Sequence, residues 1–346
     1  MLFLGGIVFL GGATLFWILF SPVTTGSEQG SFELKIPAGT SYNGVVDQML
    51  QGGLIRSRYK IGKAAQILRA RSKIKAGKYL IPAKISSYRL LHMLVEGKVV
   101  PERVTIPEGL NSRQIAAIVQ RQLAIDSTEF VQLVSDSGLA RELGIQAPTL
   151  EGFLFPDTYR FNWGVDARTV ITILVNQFKS HFDQALQRRA SQLGMSLLET
   201  VTLASIIEGE AVVDSERVVI SAVYHNRLKQ GMRLQADPTI QYIIKDGPRR
   251  LLSRDLKIDS PYNTYKYTGL PPGPINNPGL ASIKASLFPA RVDYLYFVAN
   301  GDGSHTFSAT FAAHLRAKAR FDKIRRAVKK RRKEGLNAGE KQSKFE

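Results

Sequence analysis

The sequence predicts an α+β protein with an N-terminal transmembrane helix, a small α+β module and a larger α+β domain. Three observations predict this arrangement: an uncharged apolar start, two strand–turn–helix units roughly seventy residues apart, and a second half in which apolar helices alternate with a proline-rich loop and a hairpin. With 346 residues, 44% of them hydrophobic, the chain has enough apolar surface for a core. It contains no cysteine, which excludes a disulfide scaffold, thiol catalysis and cysteine-ligated zinc.

The transmembrane helix is predicted from residues 2–20, which are uncharged and rich in Leu, Ile and Phe. About twenty apolar helical residues cross a bilayer core. The marks of a cleaved signal peptide are a basic start, a shorter apolar region and a small-residue cleavage site, and this sequence has none of them. We therefore expect an uncleaved anchor at residues 1–21. Because no Lys or Arg precedes the span, charge does not give its orientation, and we expect the natural start to lie upstream with a basic stretch.

A polar linker rich in Gly, Ser and Thr, residues 22–31, leads into a small module at residues 32–102. The module contains one strand–turn–helix unit, and a second unit opens the following domain at residues 103–315. In both units a Pro-x-Gly turn separates the strand from an amphipathic helix. The elements expected here are strands at 32–36, 77–81 and 104–106, and helices at 45–54, 59–71, 87–96 and 112–123. A module of this kind binds or spaces rather than catalyses.

The larger domain is predicted to contain a long helix at 166–192 and, after Gly194, a second one at 196–228 with Ser196 as its N-cap. Residues 197–207 are apolar without a polar face, so we expect them to be buried. Glu208 and Glu210 then interrupt the apolar run about 200° apart around the axis, so they cannot share a face.

Two interpretations of this glutamate pair remain open from the residues alone. The small neighbours of Glu208 leave room for a ligand, and Gly209 lets a backbone or a substrate come close. A carboxyl group at the end of an apolar helix is expected to have a raised pKa, which suits a general acid. The structural alternative is that both carboxylates form ion pairs with arginines, and the candidates are Arg217, Arg227 and Arg233.

Two further segments are candidates for a ligand cleft. Residues 151–159 are apolar and aromatic, and they either line a cleft or pack at a domain edge. The loop 260–279 combines prolines with Tyr and Asn side chains. Aromatic rings and amides suit a sugar, whereas a rigid domain edge is the alternative. A strand at 293–298 and its hairpin partner at 305–307 follow.

Several chemistries are not predicted. The chain lacks H-E-x-x-H, a Walker A loop, G-x-G-x-x-G after a strand and a G-x-S-x-G elbow, and its five histidines have no metal-ligand spacing. We therefore predict no cofactor and no metal site. Residues 316–346 hold 13 Lys or Arg against 4 Asp or Glu, which is half of the net charge of +18. This basic tail is expected to be solvated or to contact an anionic lipid or polymer, and nucleic acid is not expected as a partner.

The ordered motifs of the second half resemble one known family. They are Glu151–Tyr159, Ala204–Glu210, Tyr224–Leu228, Gly231–Thr239, Tyr262–Tyr265, Gly269–Ile275, Tyr294–Val298 and His305–Phe307. Over residues 104–315 they resemble the MltG (YceG-like) family of endolytic murein transglycosylases. The layout before them also resembles that family, whose membrane-proximal module is described as LysM-like.

The resemblance implies an enzyme that cuts the bond between N-acetylmuramic acid and N-acetylglucosamine within peptidoglycan strands and leaves 1,6-anhydro ends. By motif match Glu208 is the acid/base, and Glu210 is a second acid, an orienting residue or itself the catalytic one. Gly209 departs from the family pattern, which usually has a bulkier polar residue there. The substrate-binding candidates, each of which has a structural hydrogen-bonding role as its alternative, are Gln235, Asp237, Tyr262, Asn263 and Tyr265.

The resemblance also implies a location and partners. The catalytic domain is expected on the outer side of the cytoplasmic membrane, with peptidoglycan strands as substrate, the membrane as attachment and wall-synthesis enzymes as partners. Two other functions remain open: a hydrolase that uses Glu208 with a second carboxylate such as Asp237, and a noncatalytic peptidoglycan-binding scaffold.

Overall fold

The computed structural model describes residues 2–24, 30–37, 39–245, 247–323 and 325–326, with side chains from Leu10 onward. Within these ranges the protein is a mixed α+β structure with helices and two-stranded sheets. The chain divides into two compact units. The first comprises residues 1–105, 116–130 and 158–170, and the second comprises residues 106–115, 131–157 and 171–346.

The first unit holds the N-terminal helix and the small module. Its elements are α1 Leu2–Phe20, β1 Ser31–Ile36, α2 Tyr42–Gln51, α3 Arg58–Ile67, β2 Gly77–Pro82 and α4 Ser87–Glu96. The elements with residues in both units include β3 Glu102–Ile106, α5 Ser112–Leu123, α6 Ser127–Val134 and β4 Asp157–Phe161. β1 pairs antiparallel with β2, with Ser31 opposite Pro82, and β3 pairs with β4. Alternate residues of β1 and β2 enter an apolar core, as the period of two predicts.

Residues 21–24, which follow α1, contact the small module. Val23 is buried, and its backbone N–H donates to the carbonyl of Ile85. The ammonium group of Lys60 donates to Ser21 and to the carbonyl of Pro22. The first three residues of the predicted linker at 22–31 therefore contact the small module, and Val23 is buried there. Residues 25–29 lie outside the described part of the chain.

The second unit is mostly helical. Its further elements are α7 Ser137–Glu142, α8 Ala167–His181, α9 Gln184–Gln192, α10 Leu197–Glu210, α11 Arg217–Lys229, α12 Asp237–Ile243, α13 Leu280–Leu287, β5 Tyr296–Ala299 and β6 His305–Ser308. β5 and β6 form the predicted antiparallel hairpin, with Tyr296 opposite Ser308. Residues 311–323 are helical, so the predicted tail at 316–346 begins as helix, and residues 327–346 lie outside the described part.

Two predicted long helices are each broken in two. The helix expected at 166–192 is α8 and α9, because the Asp183 side chain caps a new helix by accepting from the Leu186 N–H. The helix expected at 196–228 is α10 and α11. Ala211 is extended at the end of α10, and a short 3-10 turn, Asp214–Glu216, leads into α11. The β-branched pair Val212 and Val213 followed by Asp and Ser favours this break.

The start of α10 follows the prediction. Ser196 and Glu199 form a capping box, and residues 200–207 are buried. The hydroxyl of Ser205 accepts from the Ile275 N–H, and the amide of Asn276 donates to the Ser205 carbonyl. These two bonds tie the proline-rich loop to α10 and position the polar end of this helix.

In the part of the chain with described side chains, no single helix is both long and apolar enough to cross a membrane. The apolar part of α1 in that range is Leu10–Phe20. The helices α9 and α10, which are bent relative to each other, reach the length and composition of a membrane span only when they are taken together.

Candidate active site

Glu208 lies in a charged cluster near the end of α10. Its Oε2 accepts from the Gly279 N–H at 3.1 Å and lies 3.2 Å from Arg217 Nη1. The Glu208 side chain is only 7% exposed. Arg217 also binds Asp214 through Nε at 3.0 Å and donates to the Ser282 hydroxyl. Arg217, one of the predicted arginine partners, therefore lies beside Glu208.

A second carboxylate lies beside this pair. Glu108 packs directly against the α-carbon of Gly279, where any side chain would overlap its carboxylate. Burial raises the pKa of Glu108, and the negative charge of Glu208 raises it further, while Arg217 opposes both effects. The cluster thus holds Glu108, Glu208 and Asp214 around one guanidinium group.

Glu210 ends α10 in a different environment. The Tyr224 hydroxyl donates to Glu210 Oε1 at 3.0 Å. Burial, with a further contribution from the charge of Asp237, raises the pKa of Glu210 to about 7, against the lowering effect of the Tyr224 hydroxyl and the Asp237 backbone N–H. The raised pKa that the apolar helix predicts is found here. A carboxyl group with this pKa can donate and accept a proton at neutral pH.

Gly209 allows the neighbouring helix α12 to approach. A Cβ at residue 209 would lie 2.6 Å from Pro238 Cβ and 2.8 Å from Pro238 Cγ. Pro238 is the second residue of α12, and Asp237 is the first. The missing side chain therefore allows the start of α12 to lie against the end of α10, and this contact places Asp237 beside Glu210. The close approach expected at Gly209 is made by a proline ring of the protein itself.

A cavity of about 500 Å³ opens at Glu210. It is lined by Glu210, Arg227, Leu234, Gln235, Asp237, Tyr265, Phe297, Val298, Ala299, His305, His314 and Lys318. Three of the five predicted substrate-binding candidates, Gln235, Asp237 and Tyr265, therefore share this cavity with Glu210. Glu208 does not line it.

The lining side chains are held by specific bonds. The Tyr265 hydroxyl donates to Asp237 Oδ1 at 2.5 Å, and burial together with this bond raises the pKa of Tyr265. Gln235 has a φ of 51°, a left-handed backbone that is unusual outside glycine. Its backbone N–H donates to the Thr264 carbonyl at 3.1 Å, which helps to hold this conformation. These bonds fix the part of the cavity wall that Gln235, Asp237 and Tyr265 form.

The structure places the other two candidates elsewhere. Asn263 is fully buried; its amide donates to the carbonyls of Leu256 and Ile258, and its Oδ1 accepts from the Tyr265 N–H. Tyr262 packs against Tyr242, with ring centroids 5.0 Å apart. Both residues support the loop that carries Tyr265.

Residues 151–156 of the segment 151–159 are buried, whereas Asp157 and Thr158 are exposed. The Glu151 carboxylate is buried and accepts from the backbone and hydroxyl of Ser112 and from the amide of Asn277. The same Asn277 accepts from the N–H groups of Gly152 and Leu154. This network fixes the turn rather than exposing it to the Glu210 cavity.

Several residues of the site have roles that the sequence did not predict. Arg227, considered there as a glutamate partner, donates instead to the carbonyls of Leu295 and Leu234. His305 Nδ1 lies 2.7 Å from Glu216 Oε2, and its backbone N–H donates to the same carboxylate. Tyr224 and Glu108 are also new. A polar residue within an apolar helix, such as Tyr224, is the available sequence signal, but its partner depends on the fold.

Among the described residues, no group of three or more His, Asp or Glu side chains is arranged to hold a metal ion.

The comparisons with known proteins agree with this architecture. The family profile described as the YceG-like family matches residues 34–320. The chain belongs to the YceG-like family. A YceG-like protein of Listeria monocytogenes, known from its crystal structure, superposes with a TM-score of 0.59 at 31% identity, over 84% of this chain and 99% of that one.

Two bacterial relatives of this YceG-like chain share one name. A protein of Bacillus subtilis strain 168 called endolytic murein transglycosylase is 32% identical over 90% of this chain and 91% of its own length. A Streptococcus pneumoniae D39 protein of the same name is 31% identical over 80% of this chain and 54% of its own length. The chain therefore spans about half the length of the pneumococcal relative.

Proposed function

We propose that this YceG-like protein is an endolytic murein transglycosylase whose general acid and base is Glu210. The observation that carries the proposal is the Glu210 carboxyl group, which is desolvated to a pKa of about 7 and lies at a cavity together with Gln235, Asp237 and Tyr265. The names of the bacterial relatives supply the reaction class. A carboxyl group poised between its two protonation states is the group that this reaction needs.

The proposed reaction uses one carboxyl group twice. Protonated Glu210 donates its proton to the oxygen of the bond between N-acetylmuramic acid and N-acetylglucosamine as the bond from that oxygen to muramic C1 breaks. The Glu210 carboxylate then takes the proton of the muramic C6 hydroxyl as that oxygen bonds to C1. The products are a 1,6-anhydro end and a free N-acetylglucosamine end. Glu210 is returned to its protonated form, and no water is consumed.

The neighbours of Glu210 set its proton affinity and orientation. The Tyr224 hydroxyl donates to one carboxyl oxygen and orients the group. Asp237 raises the pKa of Glu210, and the Tyr265 hydroxyl fixes the position of Asp237. We assign Gln235 and Tyr265 to the substrate wall, because both line the cavity.

Glu208, the acid expected from the motif match, is assigned a positioning role. Its Oε2 is engaged by the Arg217 guanidinium group and by the Gly279 N–H, and Glu208 does not line the cavity at Glu210. Its ion pair with Arg217 joins α10 to α11 and to Ser282 of α13. Glu208 therefore holds the end of the helix that carries Glu210.

One observation favours a second candidate, a hydrolase with two carboxylates. Asp237 lies at the same cavity as Glu210, and two acidic groups at one site are what most glycosidases use. Mass spectrometry of peptidoglycan digested by the full chain separates the two reactions. Anhydro ends, lighter than reducing ends by one water, support the transglycosylase, and reducing ends support the hydrolase. Strand binding with no product from wild type would support a noncatalytic scaffold.

The remaining assignments follow the layout of the chain. We propose an anchor at residues 1–21, a LysM-like module at 32–102 after a linker at 22–31, a catalytic domain at 103–315 on the outer side of the cytoplasmic membrane, and a basic tail at 316–346. The uncharged helix α1 supports the anchor. Wall-synthesis enzymes are the proposed partners. Carbonate extraction of membranes tests the anchor, and release of the full chain by carbonate would exclude it.

A further inference from the structure

One end of the small module carries an exposed surface of aromatic and basic side chains. We define this surface, the aromatic–basic rim, by Trp17, Phe20, Tyr59, Lys63, Tyr88 and Arg89. Trp17 is 54% exposed, Tyr59 66% and Tyr88 37%, although all three are large rings. The rim is formed by the last turn of α1, the first two turns of α3 and the first turn of α4, and the N-caps of α3 and α4 are Ser57 and Ser86.

Contacts between neighbours make the rim continuous across these helices. The rings of Phe20 and Tyr88 lie 5.7 Å apart and join α1 to α4. Lys60 Nζ lies 4.8 Å from the centroid of the Trp17 ring and joins α1 to α3. Lys63 extends over Tyr59 at 5.8 Å.

The end of α1 is fixed to the module at the rim. Lys60 Nζ donates to the Ser21 hydroxyl at 2.6 Å and to the Pro22 carbonyl at 2.7 Å. The next residues form β-bridges, Pro22 with Ser86 and Thr24 with Ile55. Residues 21–24, which follow α1, are therefore held against the module by hydrogen bonds. If α1 lies in a bilayer, the rim must lie at the depth where the bilayer meets water.

The charge of the rim is complementary to an anionic surface. Segments 56–63 and 84–89, which open α3 and α4, contain six basic residues and no acidic residue. Only Arg58 among them has an ion pair in the described structure, with Asp47. Trp and Tyr favour the membrane–water interface, and Lys and Arg are attracted to anionic headgroups. An exposed patch that combines both properties marks an interaction surface rather than ordinary protein surface.

We propose that the aromatic–basic rim docks on the anionic headgroups of the bilayer in which α1 is anchored, and that it holds the module in one orientation against the membrane. This inference rests on the anchoring proposed above, but it adds a second, electrostatic contact that an anchor alone does not require.

Site-specific labelling tests the docking, because the natural chain has no cysteine. Tyr88→Cys in the full chain places an environment-sensitive fluorophore in the rim. Lys98→Cys is the matched control: Lys98 is 64% exposed and lies just beyond the opposite end of α4, about 15 Å along the helix. Each labelled chain is reconstituted into vesicles of phosphatidylcholine with or without phosphatidylglycerol, and quenching by brominated lipid is measured.

Docking predicts that the probe at residue 88 is quenched in the anionic vesicles and the probe at residue 98 is not. Quenching at residue 88 should decrease in salt and in neutral vesicles. Replacing Lys63 or Arg89 by Gln should reduce the ratio of docked to undocked chain roughly fivefold for each removed charge. Equal quenching of the two probes, or quenching that ignores lipid charge, would overturn the proposal.

The two proposals can fail separately. Trp163→Phe leaves Trp17 as the only tryptophan of the chain, so quenching of Trp17 reports whether the end of α1 lies in the bilayer. If Trp17 is not quenched, the anchoring proposal fails. If Trp17 is quenched while the probe at residue 88 is not, the anchor stands and the docking proposal is wrong.

Discussion

The ring of Pro238 lies against the α-carbon of Gly209, so close that a Cβ at residue 209 would be 2.6 Å from Pro238 Cβ. Any side chain at residue 209 must displace the start of α12, and with it Asp237. We expect Gly209→Ala to destabilise the protein by about 1–3 kcal/mol and to lower kcat. Thermal unfolding and product release from peptidoglycan measure the two effects.

A double-mutant cycle shows whether this contact is the cause. Pro238→Gly removes both Cβ and Cγ, the two atoms that oppose the new methyl group, so the pair Gly209→Ala and Pro238→Gly should lose less stability than the two single effects added together. Strict additivity would mean that the helix propensity of residue 209, rather than its contact with Pro238, determines the outcome.

The two glutamates of α10 should behave differently when replaced by glutamine. Glu210→Gln replaces the proposed acid by an amide that does not titrate near neutral pH, and we expect at least about a hundredfold loss of kcat in a folded protein. Glu208→Gln keeps a hydrogen-bond acceptor but removes the charge that pairs with buried Arg217, so we expect a loss of stability of about 1–3 kcal/mol with turnover still measurable.

Peptidoglycan digestion and thermal unfolding of both variants distinguish these roles. If Glu208→Gln folds normally and forms no product while Glu210→Gln remains active, the acid is Glu208, as the motif match implies, and our assignment is wrong.

The pKa of Glu210 predicts the pH dependence of activity. Because the acid must be protonated, kcat/KM should fall as pH rises through about 7. Asp237→Asn removes a charge that raises this pKa, so the decline should move to lower pH. Tyr224→Phe removes a bond that stabilises the carboxylate, so the decline should move to higher pH. Shifts in the same direction would contradict the assigned roles.

The pKa of Glu210 should also make the stability of the protein depend on pH. The pKa of Glu210 is higher in the folded chain than the ordinary 4.5, so its contribution to stability is full below pH 4.5 and is lost as pH rises through about 7. Glu210→Gln removes this loss. We expect the variant to gain more in Tm over wild type at pH 8 than at pH 5, and an equal gain at both pH values would argue against a buried titrating carboxyl group.

The sequence predicts local features of this fold well and long-range ones poorly. The helices at 87–96 and 112–123 have the expected bounds, and Ser196 is the expected N-cap, because amphipathic periodicity and capping chemistry are local. The breaks at Asp183 and at residues 211–216 were not predicted, because apolar residues recur on both sides of each and the periodicity does not register a short interruption.

In the candidate site, too, the sequence predicts local features better than long-range contacts. The motifs predict that Glu210, Asp237 and Tyr265 belong to one site, and the structure brings them to one cavity. The burial of Asn263 and the pairing of Tyr224 with Glu210 depend on which surfaces α11 and the proline-rich loop present to α10. Those contacts are set by tertiary packing, which no short segment of the sequence encodes.

Asn263 and Tyr265 separate support of the loop from contact with the substrate. Asn263→Ala leaves the buried carbonyls of Leu256 and Ile258 and the N–H of Tyr265 without partners, so we expect a loss of stability of about 2–4 kcal/mol. Tyr265→Phe removes one hydroxyl at the cavity, which frees Asp237, and we expect a stability change below about 1 kcal/mol with several-fold lower kcat/KM. Chemical denaturation and rates normalised to folded protein distinguish the two, because a lining role for Asn263 would lower the normalised rate while leaving the unfolding midpoint unchanged.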